Sequence, residues 1–160
     1  MSRDARFEEA GDERPLRLKA ESAEDLEVIS SLVQDAVGKA GDISWLPKQR
    51  RLILAMNRFR WEAHAGAPDG QAPAERVRSA LSIDSVLKVR ARGIDQSDKT
   101  RVYDLLALSF TPGTDAGGVV TLTLAGGSAF SVEVECLDLM LADIGEPWGA
   151  KAGRAPNHDA

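Results

Sequence analysis

Apolar and polar residues alternate with a period of two through most of the chain between Ile43 and Cys136. Successive side chains of an extended strand point to opposite faces, so this alternation is typical of strands that bury one face and expose the other. Turn-forming Pro, Gly, Asp and Ser residues interrupt the pattern and divide the region into seven segments. The sequence therefore predicts seven antiparallel strands, several of them joined as hairpins.

The alternation also predicts which side chains of each strand face the core. The inward sets are Val77, Ser79, Leu81 and Ile83 in residues 76–83; Leu87, Val89 and Ala91 in residues 86–92; and Leu106, Leu108 and Phe110 in residues 102–111. In the second of these segments the other face carries a cation at every second position: Lys88, Arg90 and Arg92. That segment is predicted to be a strand with one apolar face and one basic face.

Two segments have helical periodicity instead. Between Ser22 and Gly38, apolar residues recur at spacings of three and four: Leu26, Ile29, Leu32, Val33, Ala36 and Val37. Ser22 and Asp25 resemble a capping box and Gly38 ends the pattern, which predicts an N-terminal helix. Near the other end, apolar residues spaced i, i+3, i+4, i+7 precede a Gly and a Pro and predict a C-terminal capping helix: Leu137, Met140, Leu141 and Ile144.

The order of elements limits the fold. Seven strands in a flat sheet would leave two exposed edges and could not bury both the alternating core residues and a helix stripe. Closure into a barrel or sandwich, with the last helix over one open end, resolves both problems. The predicted fold class is α+β: an antiparallel seven-stranded barrel or strongly bent sheet with an N-terminal helix and a C-terminal capping helix. In topology alone, this order is similar to that of pleckstrin-homology-like barrels.

The length of the chain, 160 residues, and its hydrophobic fraction of 43% suit one globular domain. Residues 1–15 are polar and aperiodic and are predicted to be a disordered arm, residues 16–148 the single globular domain, and residues 149–160 a flexible tail. Residues 62–75, rich in Gly, Pro and Ala, are predicted to be a surface loop. The chain has no apolar run typical of a secretory signal or a membrane span, which favours a cytoplasmic location.

Three blocks of the sequence carry a resemblance to a known family: GDISWLPKQRRLILAMNRFRWE, RVRSALSIDSVLKVRARGI and AGGSAFSVEVECLDLMLADIG. Over roughly the stretch from LRLKA to EPWGA, the chain resembles an uncharacterised bacterial family, domain of unknown function 2948. The resemblance implies a single intact domain. It implies no activity, cofactor or catalytic residue.

The residue types needed for common enzyme chemistry are scarce. The two imidazoles, His64 and His158, lie in segments predicted to be mobile, where they could not hold a reacting group in place. The single cysteine, Cys136, excludes an internal disulfide, and no Cys/His cluster suits zinc. The glycine pairs 117–118 and 126–127 fall in hairpin turns rather than before a helix that could bind phosphate. The sequence predicts no metal, no cofactor and no catalytic residue.

Glu133 and Glu135 are the remaining enzymatic alternative. Two residues apart on one strand, they would point to the same face about 6.5 to 7 Å apart, a spacing that suits an acid and a base. Alternating glutamates are also common on a solvated strand face, and no other site residue accompanies them. We therefore predict a protein that is not an enzyme.

The charge distribution gives a hint of function. The net charge is −5, yet residues 48–92 hold ten Lys/Arg against four Asp/Glu, a local balance of +6. Seven cations, six of them arginines suited to bidentate contacts with carboxylate or phosphate, are predicted to form a basic sheet face: Arg58, Arg60, Arg76, Arg78, Lys88, Arg90 and Arg92. This face is predicted to bind either a small anionic ligand or a protein partner.

Other interpretations remain open. The same cations could pair across strands with acids such as Glu133, Glu135 or Asp104, which would make the domain purely structural or self-associating, for instance as a homodimer. Nucleic acid is disfavoured because the net charge is negative and few aromatic rings lie among the cations. The two that do, Phe59 and Trp61, are predicted to pack in the core or at the barrel mouth.

Overall fold

The computed structural model describes residues 15–62, 75–95, 97–146 and 148–149. Within them the chain forms a ten-residue α-helix, two 3-10 helices (Ala40–Asp42 and Ala125–Gly127) and eleven strands of a single sheet, and residues 61–62 are also helical. The helix is α1 (Ala23–Leu32), and the strands are β1 (Arg17–Ala20), β2 (Ala36–Lys39), β3 (Ile43–Leu46), β4 (Arg51–Phe59), β5 (Glu75–Ile83), β6 (Val86–Arg92), β7 (Val102–Pro112), β8 (Gly118–Leu124), β9 (Ala129–Val134), β10 (Leu139–Asp143) and β11 (Trp148–Gly149). The predicted arm, loop and tail fall almost entirely outside the described residues.

The sheet is antiparallel throughout but does not close. Its strand order is β1-β10-β5-β4-β2-β7-β8-β9-β6, with β3 added beside β4 and β11 beside β5. The predicted antiparallel sheet is confirmed, whereas the seven-stranded, pleckstrin-homology-like barrel is wrong. The difference arises because β1, β2, β10 and β11 form outside the seven predicted strands, and because β1 and β6 do not pair with each other.

The predicted C-terminal helix is wrong, since this segment forms β10. Leu139 and Leu141 are fully buried on one face, and β10 pairs with β1 on one side and β5 on the other. An apolar run this short fits a helix stripe and a strand equally well. Pairing on both edges satisfies the backbone of the segment and decides the outcome.

The N-terminal helix is confirmed, but it is shorter than predicted. Ser22 caps it as expected, its hydroxyl accepting a hydrogen bond from the Asp25 amide at 3.2 Å. The helix ends at Leu32, and Asp35 adopts a left-handed conformation with φ of 65°. Residues 36–39 then leave the helix direction and form β2, which pairs with β7 and, through Val37, with β4.

A single hydrophobic core lies between α1 and the inner face of the curved sheet. All four inward residues predicted for β5 are buried, which confirms the alternation there. In β6 and in β7, a bulge in each strand shifts the alternation of inward and outward side chains. As a result, Leu87 and Leu106, both predicted to face inward, are 51% and 40% exposed. No helix in the described part of the chain has the length and hydropathy needed to cross a bilayer.

Candidate binding site

The seven predicted site residues do not form one continuous face. Arg58, Arg76 and Arg78 belong to β4 and β5, and Arg60 follows β4 directly. Lys88, Arg90 and Arg92 belong to β6, which is the terminal strand of the sheet and pairs with β9. The structure therefore divides the set into two groups on different parts of the sheet.

Arg58 lies on the inner face of β4, where it is fully buried between two carboxylates. Its Nη2 lies 2.7 Å from Glu62 Oε2, and its Nε lies 3.0 Å from Asp143 Oδ1. Asp143 also accepts hydrogen bonds from the Ser79 hydroxyl and the Leu16 amide. Burial disfavours the charged guanidinium, but the two carboxylates outweigh it and hold the pKa of Arg58 above its ordinary value.

Arg60 is also buried, and it forms an ion pair with Glu75. Its Nε lies 3.8 Å from Glu62, which links it to the cluster around Arg58. Both arginines are thus neutralised by carboxylates inside the protein. They therefore offer little to an external anion.

Arg76 and Arg78 lie on the outer face of β5, because the alternate residues of that strand face the core. Arg78 is paired: its Nη2 lies 3.0 Å from Asp42 Oδ2, and its Nη1 donates to Asn57 Oδ1 at 3.3 Å. The side chains of Arg78 and Asp42 are each more than one-third exposed, so this ion pair contributes little to stability.

Arg76 differs from its neighbours because no carboxylate in the described part of the chain lies within ion-pair distance of it. Its Nη1 donates to the backbone carbonyls of Asn57, at 3.2 Å, and Asp35, at 3.5 Å. Its Nε and Nη2 have no acceptor among the described residues. Burial lowers the pKa of Arg76, while the charges of Asp104 and Asp35 act in the opposite direction.

Aromatic side chains surround Arg76. The guanidinium carbon lies 5.9 Å from the centre of the Phe59 ring, which contacts Trp61 edge to face at a centroid distance of 4.6 Å. Trp148 is the cross-strand partner of Arg76, so the two side chains share the outer face, and Trp148 is 41% exposed. We call Phe59, Trp61, Arg76 and Trp148 the aromatic–arginine surface.

Asp104 lies on β7 near the aromatic–arginine surface and is electrostatically coupled to Arg76. Its Oδ1 is inaccessible to water and makes no hydrogen bond within the described structure. Burial raises the pKa of Asp104, and the nearby Asp35 raises it further, while Arg76 partly opposes the shift. The surroundings of Arg76 therefore contain carboxylates, but no described carboxylate accepts a hydrogen bond from its Nε or Nη2.

The second group, which we call the β6 cation row, consists of Lys88, Arg90 and Arg92. All three are exposed on the outer face, while Val89 and Ala91 between them pack against the core. Lys88 lies opposite Glu133 in register, but no ion pair forms within 4 Å at any of the three cations in the described structure. The predicted separation of basic and apolar faces is confirmed for these five residues.

A cavity of about 230 Å³ separates β6 from β3 at the open seam of the sheet. We call it the seam cleft; its lining consists of Ala40, Ile43, Trp45, Leu52, Val89, Ala91, Ile94, Lys99 and Phe130. At one end the Val86 amide donates to the Arg50 carbonyl at 2.9 Å, which ties β6 to the start of β4. At the other end the Gly41 amide donates to the Lys99 carbonyl, also at 2.9 Å.

Glu133 and Glu135 do not form an isolated acid and base. Glu135 lies just beyond the end of β9, and its Oε1 is 2.7 Å from Arg50 Nη2. Both glutamates line an open depression of about 380 Å³ beside the turn between β7 and β8. No group of three or more metal-ligating side chains occurs in the described residues, and His64 and His158 lie outside them.

The sequence did not indicate Trp148 or Lys99 as site residues. Trp148 lies outside the seven predicted strands, and its pairing with Arg76 depends on a strand of only two residues. Lys99 lies in the connection between β6 and β7, where no pattern marks it. The alternation of β4 could have located Phe59, since Leu52, Leu54 and Met56 face inward and Phe59 is out of phase with them.

Comparison with known proteins adds the family and nothing more specific. No curated protein matches the chain, and no solved structure does. A family described as "Protein of unknown function (DUF2948)" matches residues 16–158, a range that includes all eleven strands and α1. The chain belongs to this family.

Proposed function

We propose that the chain is a non-catalytic cytoplasmic module that binds an acidic segment of a protein partner through the aromatic–arginine surface. The observation that carries this proposal is the state of Arg76. It lies beside the half-buried Phe59 ring and the exposed Trp148, and its Nε and Nη2 have no acceptor among the described residues. Arg58, Arg60 and Arg78 are each bound to carboxylates. The free thiol of Cys136 is compatible with a reducing compartment.

The composition of the surface favours a protein partner. Trp, Phe and Arg are enriched at the centres of protein interfaces, where they contribute most of the binding energy. Two carbonyls and the Phe59 ring hold Arg76 in place, so binding would cost little further side-chain entropy. Its Nε and Nη2, which have no acceptor among the described residues, are arranged to donate to both oxygens of one carboxylate.

The charges around the surface disfavour nucleic acid. Asp35, Asp42 and Asp104 all lie near Arg76 or Arg78, and the net charge of the chain is −5. A nucleic acid would bring a row of phosphates, most of which would find no cation here. A single carboxylate flanked by apolar residues requires only the donors that Arg76 has available.

The proposal can be tested by selecting random peptides on the immobilised full chain and measuring their affinity by fluorescence polarisation. We expect selected peptides to combine Asp or Glu with a neighbouring large apolar residue. Arg76→Lys removes the bidentate geometry and should weaken these peptides about tenfold or more. The matched control is Arg78→Lys, which alters an arginine already paired with Asp42 and should change affinity less than about threefold.

Three results would contradict the proposal: no peptide is selected, the selected peptides lack acidic residues, or Arg76→Lys weakens binding no more than Arg78→Lys. Tight binding of single-stranded oligonucleotides in the same assay would favour nucleic acid over a protein partner. Self-recognition is a third outcome, detected by sedimentation equilibrium as a dimer that dissociates in the Arg76→Lys variant.

A further inference from the structure

The seam cleft is a preformed cavity that the aromatic–arginine surface does not include. Its floor consists of core side chains, Leu52 and Phe130, which are 1% and 5% exposed. One wall is β3, with Ile43 and Trp45, and the other is β6. The core of the protein is thus accessible from outside along the line where the sheet fails to close.

Backbone hydrogen bonds hold the cleft open at a fixed width. The Val86 amide joins β6 to Arg50 at one end. The amides of Ala40 and Gly41 join the loop after β6 at the other, through the carbonyls of Arg101 and Lys99. A cavity framed at both ends in this way needs no rearrangement to admit a ligand, as is usual for small-molecule sites.

The chemistry of the lining is asymmetric. Of the nine described residues that line it, eight have apolar side chains, and the ninth is the cation Lys99. None of the described lining residues carries a carboxylate, and no acidic group in the described structure lies within ion-pair distance of Lys99. The β6 cation row, on the outer face of one wall, adds positive potential near the opening.

A smaller cavity of about 120 Å³ shares Ala40, Ile43, Ile94 and Phe130 with the seam cleft and therefore adjoins it. Its lining includes both Arg101 and Asp104, whose opposite charges offset each other. The excess of positive charge therefore remains at Lys99. An anionic group is favoured there rather than in the adjoining cavity.

We propose that the seam cleft binds a small amphipathic anion, with a short acyl-like body against Leu52, Val89 and Phe130 and a carboxylate or phosphate head on Lys99. The apolar lining requires a hydrocarbon body, and the lone cation requires one negative charge. A volume of about 230 Å³ restricts the body to a short chain, since sites for drug-sized ligands usually measure about 300 to 1,000 Å³. This site goes beyond the proposed protein-binding function and is independent of it.

Trp45 provides a reporter for this site because it lines the cleft. In the Trp61→Phe/Trp148→Phe variant, Trp45 is the sole tryptophan, since the chain contains three. This variant would be titrated with octanoate, octyl phosphate and octanol while the indole emission is recorded. We expect both anions to shift the emission and to bind about tenfold or more tightly than octanol; the preferred anion identifies the head group.

Two substitutions connect the binding to the proposed contacts. Lys99→Gln should weaken octanoate about tenfold or more and leave octanol unchanged, because it removes a charged hydrogen-bond donor alone. Lys39→Gln is the matched control: Lys39 is an exposed cation on β2 that does not line the cleft, and its loss should change neither affinity. Both variants alter exposed side chains, so neither should impair folding.

The proposal is overturned if neither octanoate nor octyl phosphate binds better than octanol, if none of the three compounds binds, or if Lys99→Gln and Lys39→Gln have equal effects on the preferred anion. Titration calorimetry of octanoate into the Arg76→Lys variant tests this site independently of the proposed protein-binding surface. Octanoate should bind that variant as it binds the unaltered chain, whatever its effect on acidic peptides.

Discussion

Arg58 and Arg51 belong to the same strand, β4, yet their ion pairs differ in what they contribute. Arg58 is fully buried between Glu62 and Asp143, whereas Arg51 is 45% exposed beside Asp84. Removing one partner of a buried pair leaves a charge without compensation, which typically costs about 3 to 5 kcal/mol. An exposed pair is typically worth about 0 to 1 kcal/mol.

We therefore predict that Arg58→Met lowers the free energy of unfolding by about 3 to 5 kcal/mol, while Arg51→Met lowers it by no more than about 1 kcal/mol. Urea denaturation followed by circular dichroism measures both. If Arg58→Met prevents folding, Asp143→Asn, which keeps the shape of the side chain, replaces it. Equal losses for the Arg58 and Arg51 variants would show that burial does not distinguish the two pairs.

The free energy of unfolding should depend on pH differently in the unaltered chain and in the Arg58→Met variant. Burial raises the pKa of Glu62, but the hydrogen bond and charge of Arg58 outweigh it, so the pKa is lowered overall. A carboxyl group whose pKa is lower in the folded state stabilises the fold at pH values above its pKa in the unfolded chain, about 4.3. This stabilisation is lost as the pH falls through the pKa of the folded state. The stability difference between the unaltered chain and Arg58→Met should therefore narrow from about pH 7 to about pH 3.

The position of Arg58 shows how far residue-level prediction reaches. The alternation of Leu52, Leu54 and Met56 already places position 58 on the inner face. A charged residue is rarely buried without a partner, which favoured the outer face. One partner, Glu62, lies only four positions away, but the other, Asp143, lies 85 positions away, and no local pattern joins it to Arg58. Arg76, by contrast, lies on the outer face, as the alternation of apolar and polar residues in β5 predicts.

At the level of elements, alternation predicts strands well and their irregularities poorly. The inward face of β5 is confirmed at every predicted position. A bulge between Leu105 and Ala107 changes the phase of β7, so Leu105 rather than Leu106 enters the core. A bulge inserts one unpaired residue and re-aims those after it, an effect of cross-strand pairing that one strand's sequence does not contain.

The four-residue strand β2 joins the two halves of the sheet and depends on a glycine. It pairs with β7 over its whole length but with β4 only at Val37 and Asn57. The Tyr103 side chain crosses over Gly38, and its hydroxyl donates to the Ala55 carbonyl of β4 at 3.1 Å. The tyrosine thus adds a second link between β7 and β4 across β2. This link requires the absence of a side chain at position 38.

We predict that Gly38→Ala lowers the free energy of unfolding by about 1 to 3 kcal/mol through overpacking. The added Cβ would lie 2.7 Å from Cε2 of Tyr103, so the ring must move and its hydrogen bond to Ala55 must weaken. Gly113→Ala is the control, because its Cβ would lie 3.5 Å from the nearest atom, an ordinary contact. Thermal unfolding measures both, and equal midpoints would contradict the proposed role of Gly38.

At the level of the whole molecule, the two terminal strands of the sheet share one property. Arg17 and Lys19 are exposed on β1, and the β6 cation row lies on β6. Like charges on an unpaired edge oppose the addition of a strand from another molecule. The sequence showed the row of cations but could not show that β6 is terminal. That position follows only from pairings across the whole chain.

This arrangement predicts the consequence of removing the charge. Replacing Lys88, Arg90 and Arg92 together by Thr keeps strand propensity and removes the repulsion between edges, so the variant should associate as its concentration rises. Replacing all three by Glu reverses the sign but retains the repulsion, so that variant should associate no more than the unaltered chain. Multi-angle light scattering measures the mass of each protein. If the Glu variant also associates, loss of basic character rather than loss of repulsion causes the association. If the Thr variant does not associate, the β6 cation row does not protect the edge, and its proximity to the seam cleft remains the explanation for these cations.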